Sequence, residues 1–218
     1  MTYEFKFEFV ILGETSVGKS SILKQFTDRE FNDLTEATVG VDFGVKNLIV
    51  KDKPVKVYIW DTAGQESYKS LTKFYIRNRV CAIIVYDITN YDSFAKVQKW
   101  IDFVREVASN EIIVLLVGNK SDLESNRRVP YGEAKKYAEA NHLIFTETSA
   151  KTSNEGCQKI FEVAATMTME CIQAGKIDPS NEIFGVKYGP LHQRYNKRVD
   201  SAASGSHNAN ESRTCCLF

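Results

Sequence analysis

No stretch of the chain approaches the ~18 uncharged apolar residues of a transmembrane helix, so no spanning helix is expected. Charge of one sign is not in excess either. Lys+Arg and Asp+Glu both number 28, and the formal net charge is zero. A global basic field that would collect nucleic acid is therefore missing, and nucleic acid is not an expected partner. A specific nucleotide site stays open, because it needs only a few local groups. No disulfide framework can be read. Cys81, Cys157 and Cys171 are scattered, and Cys215 and Cys216 stand side by side near the end. That usage fits a reducing cytosol. Thr2 occupies the place a myristoylated glycine would need, and Met1–Glu4 lacks the basic region of a secretory signal, so neither modification is expected. Internal repeats are absent.

What is present is an ordinary globular composition, 43% hydrophobic and 26% charged over 218 residues, which suits one domain with a tail. Residues 4–12 alternate through Phe5, Phe7 and Phe9 and then run wholly apolar, as a strand with a buried end does. Residues 41–50 and 55–61 read as strands joined by the turn-like Lys51-Asp52-Lys53-Pro54. Residues 80–86 and 112–117 are continuous β-rich apolar runs, which fits strands covered on both faces of a parallel sheet. Residues 143–146 give a short sixth strand. Helical patterns fall between them at 19–27, 92–108, 131–140 and 155–174. The alternation predicts a three-layer α/β fold, a mostly parallel six-stranded sheet with helices on both faces. Its ligands belong outside the carboxyl ends of the strands. Residues 4–175 form the predicted domain. Residues 176–218 are predicted to be a flexible tail, because residues 201–214 offer almost no apolar surface to offset ordering entropy.

Each chemical motif follows a strand. Gly13-Glu14-Thr15-Ser16-Val17-Gly18-Lys19-Ser20, with Ser21 beginning the helix, matches the phosphate-cradling pattern G-x-x-x-x-G-K-[ST]. Glycines let backbone N–H groups turn in around a polyanion, and the helix adds its N-terminal dipole. Lys19 is expected on the β- and γ-phosphates and Ser20 on Mg²⁺. Asp61-Thr62-Ala63-Gly64-Gln65 follows the third strand. Asp61 is expected to hold Mg²⁺ through water, Gly64 to offer its N–H to the γ-phosphate, and Gln65 to orient an attacking water. Thr38 supplies the second hydroxyl for Mg²⁺. A lone loop threonine or glutamine is more often plain surface; the company of these motifs favours the ligand reading. Asn119-Lys120-Ser121-Asp122 and Ser149-Ala150-Lys151 complete the set. The Asp122 carboxylate can accept from guanine N1–H and its 2-amino group, and such bonds reject adenine by ~10⁴ or more. The Ala150 N–H can donate to guanine O6, while Lys120 and Phe31 cover the base.

With these motifs in this order, residues 5–174 resemble the Ras superfamily of small GTPases, and within it the Rab family of membrane-traffic GTPases. Val39-Gly40-Val41-Asp42-Phe43, Val57-Tyr58-Ile59-Trp60 and Ile84-Val85-Tyr86-Asp87-Ile88-Thr89 carry the finer likeness. Phe43-Gly44, Gln65-Glu66-Ser67 and residues 119–127 resemble the branch that works near the Golgi and early endosomes. The resemblance implies a P-loop GTPase fold, GTP and GDP with Mg²⁺ as ligands, slow hydrolysis of GTP, and a monomer. It also implies an exchange factor, a GTPase-activating protein, a GDP dissociation inhibitor, prenylation machinery and effectors as partners. Phe43, Trp60 and Tyr75 would form an effector-reading aromatic patch, although core packing is the commoner fate of aromatics.

Departures from the pattern exist. Ile76-Arg77-Asn78-Arg79 leaves two charges by the helix after Gly64, where Tyr-Arg-Gly-Ala-like runs are usual. Thr15 replaces a small residue and is expected to crowd Gln65 and slow turnover. The ending Cys215-Cys216-Leu217-Phe218 fits prenylation at Cys215 and Cys216, hence attachment to the cytoplasmic face of endomembranes beside a cytosolic pool. A signalling GTPase outside membrane traffic, a metabolic P-loop kinase and a nucleotide-binding scaffold remain as alternatives. The short 121–130 connection leaves no room for a Rho-type inserted helix.

Overall fold

In a computed structural model, which describes residues 2–32, 38, 40–64 and 69–192, the chain alternates strand and helix nearly throughout. The order is β1 Phe5–Leu12, α1 Lys19–Thr27, β2 Val41–Val50, β3 Lys53–Thr62, α2 Lys69–Ile76, β4 Cys81–Asp87, α3 Tyr91–Ala95 and α4 Val97–Val107. It continues with β5 Ile113–Asn119, a 3₁₀ turn Ser121–Asn126, α5 Tyr131–Ala140, β6 Ile144–Glu147 and α6 Asn154–Gln173. A second 3₁₀ turn, Glu182–Phe184, and β7 Val186–Tyr188 close the described fold.

The strands lie in the order β2-β3-β1-β4-β5-β6, with β7 also on β1. The sheet thus has seven strands, against the six expected. Pairing is parallel except for β2 on β3 and β7 on β1. Period-two alternation on β1 divides the core. Phe5, Phe7, Phe9 and Ile11 pack with Ile22 and Phe26 of α1 and Phe161 of α6, while Val10 and Leu12 meet Phe94, Trp100 and Ala134 of α3 to α5. Phe26 stacks on Phe161 with ring centroids 4.1 Å apart, which locks α1 to α6. Full burial of each large apolar side chain contributes roughly 1.5–3 kcal/mol. Every residue of β4 is buried, as its unbroken apolar run requires of a strand covered on both faces.

The hairpin turn is tighter than the sequence suggested. Lys51 and Asp52 take φ of 47° and 62°, the left-handed pair of a two-residue turn matched to sheet twist, and Pro54 lies inside β3. The helix expected over 92–108 is divided at Lys96, which ends α3 and begins α4.

The larger correction concerns residues 176–192, which the sequence pattern places in the flexible tail. Ile177 and Val186 are 1% and 0% exposed. β4 takes the edge of β1 only from Phe9 upward, which leaves Phe5–Phe7 free for β7. The Glu8 N–H donates to Gly185 O at 2.9 Å and the Gly189 N–H to Glu4 O at 2.6 Å. Gly185 has φ of 69°, and a Cβ there would meet Asn78 O at 2.6 Å, so this approach demands glycine. The domain therefore extends at least to residue 192. Arg79 lies against this same edge. It is one of the two charges expected beside α2, and it is buried, with its Nη1 paired to Glu8 Oε2 at 2.9 Å.

Candidate functional site

The carboxyl ends of β1, β3, β4, β5 and β6 open into a cleft of about 330 Å³. Of the residues named from the sequence, Thr15, Ser16, Gly18, Lys19, Ser20, Ser21, Phe31, Thr38, Gly64, Asn119, Lys120, Asp122, Ala150 and Lys151 line it. Asn32 and Leu123 also line it and were missed. Leu123 sits one residue past Asp122 and is exposed, so a large apolar residue just after N-K-x-D was the available signal. Gly13, Val17 and Ser149 support the cleft without lining it. Gln65, Cys215 and Cys216 lie outside the described residues.

The cradle begins where β1 ends. Gly13 adopts φ of 138°, and a Cβ there would lie 2.2 Å from Val85 O. Gly18 adopts φ of 93°, and its Cβ would strike Asn119 Nδ2 at 2.2 Å. Both positions therefore exclude any side chain. Lys19 Nζ donates to Gly13 O at 3.0 Å and to Glu14 O at 2.9 Å. The ammonium is nearly buried, and that burial pushes its pKa down to about 8 against the pull of Asp61 and Glu14. A polyanion arriving here would meet a cation already stripped of water.

Beside it, Ser20 Oγ donates to Asp61 Oδ2 and lies 2.6 Å from Thr38 Oγ1. Burial raises the Asp61 pKa, opposed by the Ser20 hydrogen bond and the Lys19 charge. Asp61 Oδ1 is buried with no hydrogen-bond partner. An orphaned carboxylate oxygen beside two hydroxyls is a hard-oxygen donor set with an unmet demand for a cation. Mg²⁺ suits it, since that ion is held by one or two carboxylates with phosphates completing its shell. The residues present thus fit the ion predicted for them.

The base end is a linked set of side chains. Asn119 donates from Nδ2 to Val17 O at 2.9 Å, tying the cradle to β5. Its Oδ1 accepts the Ala150 N–H at 3.1 Å, so that amide, expected to await a base, is directed at Asn119. Ser149 Oγ donates to Asp122 Oδ1 at 2.5 Å and accepts from the N–H groups of Lys151 and Thr152 at 3.2 and 3.0 Å. The role of Ser149 is thus to aim the Asp122 carboxylate. Lys120, at φ of 67°, pairs with Asp87 Oδ2 at 2.7 Å. Phe31 lines the cleft, with Lys151 Nζ 5.8 Å from its ring centroid. Arg127 grips Glu147 of β6 and Glu124 of the 3₁₀ turn, both at 2.7 Å, and so fixes the turn that carries Asp122 and Leu123.

Outside the cleft, Phe43, Trp60 and Tyr75 come together. Ring centroids are 5.8 Å apart for Phe43 and Trp60 and 5.3 Å for Trp60 and Tyr75. The Arg79 guanidinium lies 5.1 Å from the Trp60 ring. Phe43 is 58% exposed, so this cluster is a surface as well as a support. Residues 8–170 match the family model described as "Ras family".

Proposed function

This chain belongs to the Ras family, and from that premise we propose that it is a Rab-type GTPase that recruits effectors in intracellular membrane traffic. As a member it binds GTP and GDP with Mg²⁺ and hydrolyses GTP. Ser20, Thr38 and Asp61 would hold Mg²⁺, which would supply positive charge against that of the phosphates. Lys19, Ser20, Thr38 and Asp61 hold that end of the ligand, and Asp122 reads the base edge. Gly64 offers its N–H only while its loop is drawn in. Gln65 orients water, and its replacement by Leu is expected to trap the GTP form. Thr15 is exposed in the cleft and slows turnover in this reading. Single-turnover hydrolysis by Thr15→Gly should then exceed that of the native chain. A partner's arginine is assigned the remaining charge stabilisation, worth about 10³–10⁵ in rate.

The observation that carries the traffic reading is the aromatic cluster Phe43–Trp60–Tyr75. It places an exposed phenylalanine on the edge strand between Thr38 and α2, the two segments that a γ-phosphate would draw in. Regulators of exchange and activation, a dissociation inhibitor and effectors are the partners this implies, and prenyl groups on Cys215 and Cys216 are the assigned anchor. The test is imaging of tagged full chain beside a Cys215→Ser, Cys216→Ser double variant. Golgi or endosomal staining lost in the variant supports the reading. Diffuse staining of the native chain, or staining confined to the plasma membrane, sinks it.

A further inference from the structure

Gly64 rests against a single peptide of the cradle. A Cβ built on Gly64 would lie 2.4 Å from both the Glu14 carbonyl carbon and Thr15 N, and 2.7 Å from Glu14 O. That same carbonyl accepts from Lys19 Nζ at 2.9 Å. The Glu14 side chain does not line the cleft. Its Oε1 accepts from Trp100 Nε1 at 3.2 Å, and its Oε2 pairs with Lys96 Nζ at 2.6 Å. Lys96 and Trp100 stand one turn apart, and the Trp100 N–H donates to Lys96 O at 3.3 Å. One carboxylate therefore joins the floor beneath Gly64 to the start of α4, an element that carries none of the nucleotide motifs.

We propose that Glu14, held by Trp100 and Lys96, is a positioning residue that sets the height of the 14–15 peptide and thereby how firmly the Gly64 loop closes on a γ-phosphate. This rests on reading Gly64 as the γ-phosphate contact. The groups assigned to the base and to the inner phosphates — Gly18, Ser20, Asn119, Asp122 — make no contact with the Glu14 side chain among those described. Lys19 bonds the same Glu14 carbonyl and serves both states, so loss of the brace weighs more on the triphosphate state, where Gly64 also rests on that peptide, than on the diphosphate. Trp100 is buried and Lys96 is half exposed, so the indole N–H is the stronger tie and the ammonium, screened by water, the weaker.

The experiment uses the full chain loaded with fluorescent GDP or fluorescent GTPγS and chased with excess unlabelled nucleotide. Trp100→Phe keeps a six-membered aromatic ring but removes the N–H donor together with the five-membered ring of a buried side chain, so the Glu14 variants serve as its control for packing. Trp100→Phe should release GTPγS about tenfold faster, the worth of a hydrogen bond to a charged acceptor, while GDP release stays within about twofold. Glu14→Ala should behave alike. Glu14→Gln retains an oxygen for Trp100 and should recover most of the loss, and Lys96→Ala should change little. Equal acceleration of both nucleotides would make the brace a general support and overturn the proposal, as would unchanged release of both. Gly64→Ala separates the premise from the inference. If it leaves GTPγS release unaltered, the reading of Gly64 fails and the brace falls with it. If it accelerates GTPγS release while Trp100→Phe does not, only the brace is wrong.

Discussion

At its carboxyl end β1 runs from Leu12 into a loop that buries an ammonium, Lys19, and approaches a buried carboxylate, Asp61, whose Oδ1 has no partner. At its amino end the same strand meets β7 and gives its backbone groups partners: Glu4 O and Glu8 N bond to residues 185–189, a strap laid along the edge of β1, and the Phe5 ring centroid lies 5.6 Å from that of Tyr188. One end holds a buried ammonium and carboxylate that face a cleft, and the other is closed with apolar surface, hydrogen bonds and the Arg79–Glu8 ion pair, whose Arg79 Nε is likewise buried without a partner. The difference separates what the sheet is built to hold from what holds the sheet. Burial of a charged group is costly, and only at the cleft end can a ligand complete what the fold leaves unpaired.

The largest effect that could break this contrast is at Lys19. Lys19→Ala should weaken nucleotide binding by about 2–5 kcal/mol, the usual loss on removing one partner of a buried charge contact. In a fluorescence titration that is roughly thirtyfold to several-thousandfold. The nucleotide-free protein should be no less stable, because a desolvated charge has gone. A variant that binds normally would show that the buried ammonium serves folding instead.

The same residue gives a pH dependence whose sign is fixed. The Lys19 pKa lies at about 8 in the folded chain, below its ordinary value of 10.5. Between these values the unfolded chain holds a proton that the folded chain has lost, so this group makes nucleotide-free stability rise with pH. Below about 8 the lysine is charged in both states and its burial opposes folding in full. Nucleotide affinity runs the other way, because phosphates bind the charged form. It should fall by up to about tenfold per pH unit above 8, until the bound-state pKa is passed. Melting curves and titrations of the native chain against Lys19→Met isolate the effect. A difference that stays flat from neutral pH to 10.5 would remove Lys19 as its source.

A smaller loss is expected at the other end of β1. Val186→Ala removes buried methyl groups from β7 and should cost about 1–2 kcal/mol in urea unfolding of the GDP-loaded protein. Nucleotide affinity should not move, since the strap and the cleft lie at opposite ends of one strand. A parallel loss of affinity would mean the two ends are mechanically coupled, and the contrast would weaken accordingly.

Sequence patterns made most of the upper end legible and little of the lower. Gly13, Gly18, Lys19 and Asp122 announce themselves because phosphate and guanine chemistry demands particular residues at particular spacings. Long periodic segments gave β2 and α5 their observed limits, Val41–Val50 and Tyr131–Ala140. The strap was missed because three strand residues between glycines carry almost no periodic signal, and their stability comes from an edge of β1 that only the assembled sheet leaves open. Ile177, Phe184, Val186 and Tyr188 were the apolar residues that could have hinted at it. The direction of the Ala150 N–H was likewise invisible, since Asn119 reaches it across 31 positions of sequence. Side chains that aim other side chains, such as Ser149 on Asp122 and Arg127 on Glu147, obey no spacing rule.

The smallest effect on stability belongs to Phe43, and it decides what the aromatic cluster is for. Phe43 and Val50 lie on one edge strand, but Phe43 is 58% exposed and Val50 only 5%. Truncating an exposed side chain away from the core usually changes stability by no more than about 0.5 kcal/mol. Phe43→Ala should therefore leave the urea midpoint nearly unchanged, while Val50→Ala lowers it measurably. Contact with the Trp60 ring adds at most about 0.5–1.5 kcal/mol when such a pair is well formed, and an exposed partner falls at the low end. A Phe43→Ala loss larger than that would make the ring a structural prop for Trp60. A small loss leaves an aromatic side chain held out in solvent on a rigid strand at little benefit to the fold, which is the arrangement a docking surface needs.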